Sequence, residues 1–166
     1  MISFRPVEMS DISWIAAALK QEKVADNTST IPHPLPDHFV ETWISDWNNI
    51  ASEDKGFRIV GITADKQGFG SAAIKRTAAI SGELSFWITP QFWRQGLAVE
   101  VAEAIIKMAG AAGFSKLTAG HFHDNLGSSA VLKKLNFSRL ERDSEIFSLS
   151  RNEIVRTFRY ELKLHP

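Results

Sequence analysis

Apolar and polar positions along this chain recur in two periods, and the changes between them mark out the elements. Ile2 to Val7 reads as a short strand. Ser10-Asp11 offers a capping oxygen ahead of a helix running through Lys20, with Ile12, Ile15, Ala16 and Leu19 on one stripe. Pro32, Pro34 and Pro36 keep the segment from Asn27 to Asp37 extended or turned, because proline has no amide proton for a helix. From Asp37, the residues Phe39, Val40, Trp43, Ile44 and Trp47 fall at helical spacing. Phe57 to Thr63, Gly70 to Ala79 and Glu83 to Ile88 alternate as strands, with turns at Asp65-Lys66-Gln67-Gly68 and Ile80-Ser81-Gly82. Pro90 stops the third of these. A long helix opens near Gly96, carries Leu97, Val101, Ile105, Met108 and Ala112 on one face, and ends at Gly113. Ser115 to Phe122 predicts a strand and Ser128 to Leu135 a short helix. Phe137 to Leu140 and Arg156 to Leu164 predict the last two strands.

That order mixes hairpins with one strand–helix–strand crossover, which indicates an α+β fold on a mixed sheet and not a doubly wound parallel one. No repeat, low-complexity tract or linker divides the chain, so residues 1–166 are expected to form a single domain. Composition narrows the chemistry. Nineteen basic side chains balance nineteen acidic ones, which argues against gross phosphate neutralisation and hence against direct nucleic-acid binding. Cysteine is absent, removing disulfides, thiolate metal sites and a cysteine nucleophile together. No apolar run approaches the ~18 residues a bilayer span needs, and Met1-Ile2-Ser3-Phe4-Arg5-Pro6 lacks the character of a secretory signal. A soluble cytoplasmic protein that does not engage membranes is expected.

The most informative stretch runs from Glu83 to Ala98. A strand stops at Pro90, a polar loop carries Arg94 and Gln95, and Gly96 opens an amphipathic helix. Free N–H groups in a helix's first turn, with its dipole, can hold a phosphate or pyrophosphate. Gly96 would let a ligand approach the backbone, and Ala98 is too small to obstruct it; the plainer reading is a flexible loop end and a solvated arginine. A second stretch, Asn125-Leu126-Gly127-Ser128 to Phe137, opens another helix after a strand. Taken alone, Asn125 or Ser128 reads as a cap.

Together, Trp87, Pro90, Phe92-Trp93 and Gly96-Leu97-Ala98, followed by Asn125, Ser128, Leu132, Lys134 and Phe137, resemble the GNAT superfamily of N-acetyltransferases. Within it they resemble the ribosomal-protein N-terminal acetyltransferase branch (RimJ/RimL-like), as does the early Ile31-Pro32-His33-Pro34-Leu35. The resemblance implies a splayed central sheet flanked by helices, with acetyl-coenzyme A as co-substrate and no metal. It implies that Trp87 and Ile88 offer main-chain groups to the pantetheine arm and thioester, and that Arg94, Gln95, Gly96, Leu97 and Ala98 wrap the pyrophosphate. Asn125 would bond the pantetheine arm and Ser128 would lie near the sulfur. The acceptor would be a primary amine, either a protein N-terminus or a small amine, attacking directly in a ternary complex. Glu83 would be the base and His33 would border the acceptor. Apart from the resemblance, His121 reads as lining the acceptor pocket or as a solvated strand end, and a homodimer stays open as a partner state.

Three positions depart from the family pattern. Trp93 stands where glutamine or arginine is usual, and Asn136 replaces the glycine before Phe137, although asparagine tolerates the left-handed conformation. Leu132 occupies the place of the tyrosine that reprotonates the departing thiolate in many relatives, which leaves that task to Ser128 or water. Other signals point less far. Glu83 also reads as an exposed strand-edge charge. His121 and His123 share a strand face but have no third ligand at a usual metal spacing. Lys133-Lys134 reads as a solvated helix face or a contact for the 3′-phosphate of the coenzyme. Gly68-Phe69-Gly70-Ser71-Ala72-Ala73 matches a dinucleotide fingerprint formally but leads into a strand, not a helix. The alternatives to an acetyltransferase are therefore a catalytically silent acyl-coenzyme-A-binding sensor or partner module and, on the Gly68 motif, a nicotinamide oxidoreductase.

Overall fold

The computed structural model describes residues 1–165. Its strands are β1 (Ser3–Pro6), β2 (Gly56–Ile62), β3 (Gly68–Ala78), β4 (Ser81–Ile88), β5 (Lys116–Phe122), β6 (Ser138–Arg139), β7 (Ser144–Ser148) and β8 (Glu153–Lys163). The helices are α1 (Ile12–Leu19), α2 (Glu22–Ala25), α3 (Phe39–Ser52), α4 (Leu97–Ala111) and α5 (Leu126–Lys134). The strands form one mixed sheet in the order β1-β2-β3-β4-β5-β8-β6, with β7 paired to β8. Neighbours run antiparallel except β4 and β5, the pair joined by the α4 crossover. This is the α+β architecture the pattern predicts.

The β4–β5 pair matters most for function. The two strands stay in register only at Ser81↔Lys116, Gly82↔Leu117 and Glu83↔Thr118, then part. From Leu84 onward β4 is paired on one side alone, with β3. Thr89 N–H bonds to Phe69 C=O, so Trp87, two residues back, also turns its main-chain groups to β3. The alternation then turns the main chain of Phe86 and Ile88 into the gap.

A core lies on each face of the sheet. On one, α4 and α5 pack Val101, Ile105 and Leu132 against Phe69, Ile74 and Leu117, all wholly buried and each contributing roughly 1.5–3 kcal/mol. On the other, α1, α2 and α3 pack Ile15, Leu19, Val24 and Ile44 over Val60 and Trp87. Two left-handed residues behave as the sequence suggests: Gly113 at φ 85° just beyond α4, and Asn136 at φ 64° beyond α5. The N-terminus of α1 differs from expectation. Asp11 closes a capping box with Glu8, and its buried carboxylate also takes a bidentate bond from Arg5 (2.8 Å each) and one from Trp14 Nε1 (2.9 Å). Helix α3 starts after His38, itself left-handed at φ 60°, and not at Asp37. The Gly68 motif lies within β3, which removes the helix a dinucleotide fold requires.

Candidate active site

The parted ends of β4 and β5 open into a cavity of about 550 Å³. Its walls come from the end of β4, the loop and first turn of α4, the start of α5, and α2 with the residues after it. The α4 corner presents unsatisfied main-chain N–H groups to open space. Arg94 (φ 61°) and Gly96 (φ 78°) are both left-handed, which curls the loop so that successive N–H groups line a concavity. No side chain caps the helix, and the N–H groups of residues 94–98 have no acceptor among the described residues. A Cβ placed on Gly96 would meet nothing within 4 Å, so the corner is open space. Lys23, Arg94 and Lys134 add positive charge to the wall, against one carboxylate, Asp124. That carboxylate is already matched by Arg151, whose guanidinium holds it below the usual range.

Across the cavity, Asn125 caps α5: its Oδ1 accepts from Ser128 N–H (3.1 Å) while its Nδ2 donates to Ser128 Oγ (2.9 Å). The capping reading of Asn125 is thus observed, and both residues also line the cavity. Ser128 Oγ accepts a hydrogen bond from Asn125 Nδ2, which leaves its own O–H free to donate elsewhere. Ile88 C=O accepts from Trp93 Nε1 (2.7 Å), which leaves Ile88 N–H, with that of Phe86, as a main-chain donor facing the gap. Trp93 therefore serves to fix the loop after β4.

Of the residues expected from sequence, Trp87, Ile88, Arg94, Gly96, Leu97, Ala98, Asn125 and Ser128 come together on this wall. The main chain of Trp87, expected to serve the pantetheine arm, is instead turned to β3, and Phe86 and Ile88 face the gap in its place. Gln95 does not line it; its side chain turns back to Gln91 C=O (3.3 Å). Glu83 stands at the last paired rung, outside the wall, half exposed and bonded by Arg159 from β8 (3.2 and 3.4 Å). That arginine crosses β5 over Gly120, where a Cβ would fall 2.6 Å from its Nη1. His33 is exposed on the segment before α3. His121 is buried under α5, and both ring nitrogens are used, Nδ1 with Phe122 C=O (2.7 Å) and Nε2 with the Tyr160 hydroxyl (3.0 Å). Burial pushes its pKa down, aided by Arg139 and Lys133. No group of three His, Cys, Asp or Glu side chains is disposed to hold a metal among the described residues, and none of their helices is long and apolar enough to cross a membrane. Sequence reasoning missed Phe86, whose main chain faces the gap, and the α2 wall of Lys23, Val24, Asn27 and Thr28.

No curated protein matches the chain by sequence. Solved structures do match in shape. One is RimL, a ribosomal L7/L12 α-N-protein acetyltransferase in complex with coenzyme A, with TM-score 0.86, 11% identity, and 98% of this chain and 94% of that one covered. A ribosomal-protein-S5-alanine acetyltransferase from Vibrio fischeri aligns at TM-score 0.81 and 14% identity, over 98% and 92% of the two chains. A spermidine N-acetyltransferase from Vibrio cholerae, in complex with coenzyme A and spermine, aligns at 0.80 and 14%, over 98% and 95%. The family model for the acetyltransferase (GNAT) domain matches residues 2–138, and the chain belongs to that family.

Proposed function

We propose that residues 1–166 form one acetyl-coenzyme-A-dependent N-acetyltransferase domain that moves an acetyl group to a primary amine by direct attack, in the RimJ/RimL-like branch. The observation that carries this reading is the run of uncapped N–H groups at residues 94–98, facing a cation-lined cavity beside the parted strands. The diphosphate of the donor lies against those N–H groups and Arg94, and Lys134 serves its 3′-phosphate. Ile88 N–H donates to the acetyl carbonyl oxygen as negative charge builds there. Glu83, at the vertex of the split, takes the amine proton through water, and Arg159 fixes its carboxylate. The amine nitrogen bonds to the acetyl carbon, and the carbon–sulfur bond breaks as the carbonyl re-forms. Ser128 relays a proton from solvent to the departing thiolate while Glu83 returns its own to solvent. The likeness to ribosomal-protein acetyltransferases favours a protein N-terminus as acceptor, and the likeness to a spermidine enzyme keeps small amines beside it.

The test is release of free thiol from acetyl-coenzyme A against a panel of amines and peptides, with coenzyme A binding followed by calorimetry. Amine-dependent release supports the enzyme. Binding without release from any amine indicates the silent module instead. Absence of coenzyme A binding overturns both.

A further inference from the structure

The sheet face packed by α3 holds a charge that acetyl transfer does not use. Arg58 of β2 is buried, 8% exposed, and its guanidinium stands between the indoles of Trp43 and Trp47, 4.4 Å from each ring centre. Nη1 donates to the buried Ser71 Oγ (3.0 Å), which itself donates to Ile59 C=O. Nε is buried with no partner, Nη2 has no acceptor, and no carboxylate forms an ion pair with Arg58 among the described residues. Burial pushes this guanidinium down to about 9. The two indoles satisfy its faces but offer nothing to its edge. A buried cation without a counter-charge is among the costliest groups a fold can hold. The unfilled edge, Nε with Nη2, is the one whose parallel N–H bonds match the two oxygens of a carboxylate.

Register places Arg58 on the sheet face that carries Glu83, two strands from β4 and outside the cavity wall. Arg58, Ala73 and Ser85 form one row across β2, β3 and β4; Val60, Ser71 and Trp87 form the next on the same face. Ala73 brings only a methyl group to its row and Ser85 is exposed. Glu83, Ser85 and Trp87 lie on that face of β4, and Trp87 Nε1 is a second buried donor without a partner. Two strand spacings, ~10 Å, separate the β2 and β4 backbones, a span that Arg58 and an acceptor lying over Ser85 share.

Resting on the acetyl-transfer reading, we infer that Arg58, clamped by Trp43 and Trp47, is the specificity-determining residue for an acceptor amine that also carries a carboxylate. Two sources share that chemistry, a free amino acid and a peptide N-terminus with an acidic residue beside it.

The experiment compares matched acceptors with the intact protein and acetyl-coenzyme A: free amino acids against their carboxamides, and peptides beginning with Asp or Glu against the same peptides with Asn or Gln. The carboxylate member of at least one series should be preferred by roughly 10- to 100-fold in kcat/KM, mainly through KM. The series in which the preference appears identifies the source. In Arg58→Gln the preference should shrink to within about 3-fold while coenzyme A affinity holds, with Arg58→Lys between. Equal rates within both series overturn the inference from the wild-type protein alone, whether or not either variant folds. A preference that survives Arg58→Gln also overturns it. If no amine is acetylated, calorimetry of N-acetyl amino acids and N-acetylated acidic peptides against their amides, on the coenzyme-A-loaded protein, still decides. Tighter binding of the acids supports the subsite and equal binding removes it, whatever becomes of the catalytic reading.

Discussion

Arg151 grips Asp124 through two bonds, Nη1 to Oδ2 at 2.7 Å and Nη2 to Oδ1 at 2.9 Å, while its Nε reaches Asp26 C=O at 2.8 Å. One side chain from the β7–β8 turn thus joins two walls of the cavity, the end of α2 and the start of α5. Ser150 bonds the Asp26 carboxylate and Leu149 N–H bonds Ser29 C=O alongside it. Arg151→Ala should raise KM for acetyl-coenzyme A about tenfold with a smaller change in kcat. Arg151→Lys should recover little of this, because an ammonium cannot make the paired contact. Steady-state kinetics checks both.

Gly96 faces open space at φ 78°. Gly96→Glu places a carboxylate where a diphosphate is expected and should weaken coenzyme A binding by roughly 100-fold or more. Gly96→Ala should cost only about 1–2 kcal/mol of stability, from left-handed strain, and retain measurable binding. Titration calorimetry with chemical unfolding separates the two effects.

Glu83 and Ser128 divide the proton traffic in the proposed reaction. Glu83→Gln should lower kcat by roughly 100-fold with coenzyme A affinity unchanged, which steady-state kinetics and calorimetry read separately.

Ser128→Ala should lower kcat by roughly 10- to 100-fold. Asn125 loses its partner on Ser128 Oγ but still caps α5 through the main-chain N–H, so the fold should persist. A donor whose thiol leaves more readily should narrow the deficit, which single-turnover kinetics can read.

His121 predicts a pH-dependent stability. Its folded pKa lies below the usual 6.5 because it is buried, so below that pH the unfolded chain binds a proton that the native one refuses. Stability from this residue is present above pH 6.5 and is lost as pH falls from there through the lower folded value. Urea midpoints at pH 7.5 and 5.5 should differ, and His121→Gln should reduce the difference.

The elements with strong periodicity were legible before the fold was known. Leu97, Val101 and Ile105 announce α4, and Gly96 ahead of it announces the uncapped first turn. Strand β7 was not legible, because its period is inverted: Phe147 is exposed and Ser148 is buried against the turn. The α2 wall is a single helical turn, too short to show a period. Glu83 was visible as an acid, but its partner Arg159 stands 76 residues away and reaches it only because residue 120 has no side chain. His121 looked like a strand-end histidine open to an acceptor. The Tyr160 hydroxyl that draws it inward comes from β8, and sequence spacing does not tell which strands become neighbours. Arg58 breaks the apolar run of β2 as a surface charge would, and only the two indoles of α3 reveal where it went.

Three rungs between β4 and β5 are a narrow hinge for an eight-stranded sheet. Mechanically the molecule is two leaves, β1–β4 and β5–β8, paired along a short spine, joined by the core under α4 and α5 and laced by Arg151 and Arg159. Cutting the chain after Gly113, on the exposed turn that leads from one leaf to the other, should yield two fragments that find each other again. Their reunion would be tightened by whatever occupies the opening between the leaves.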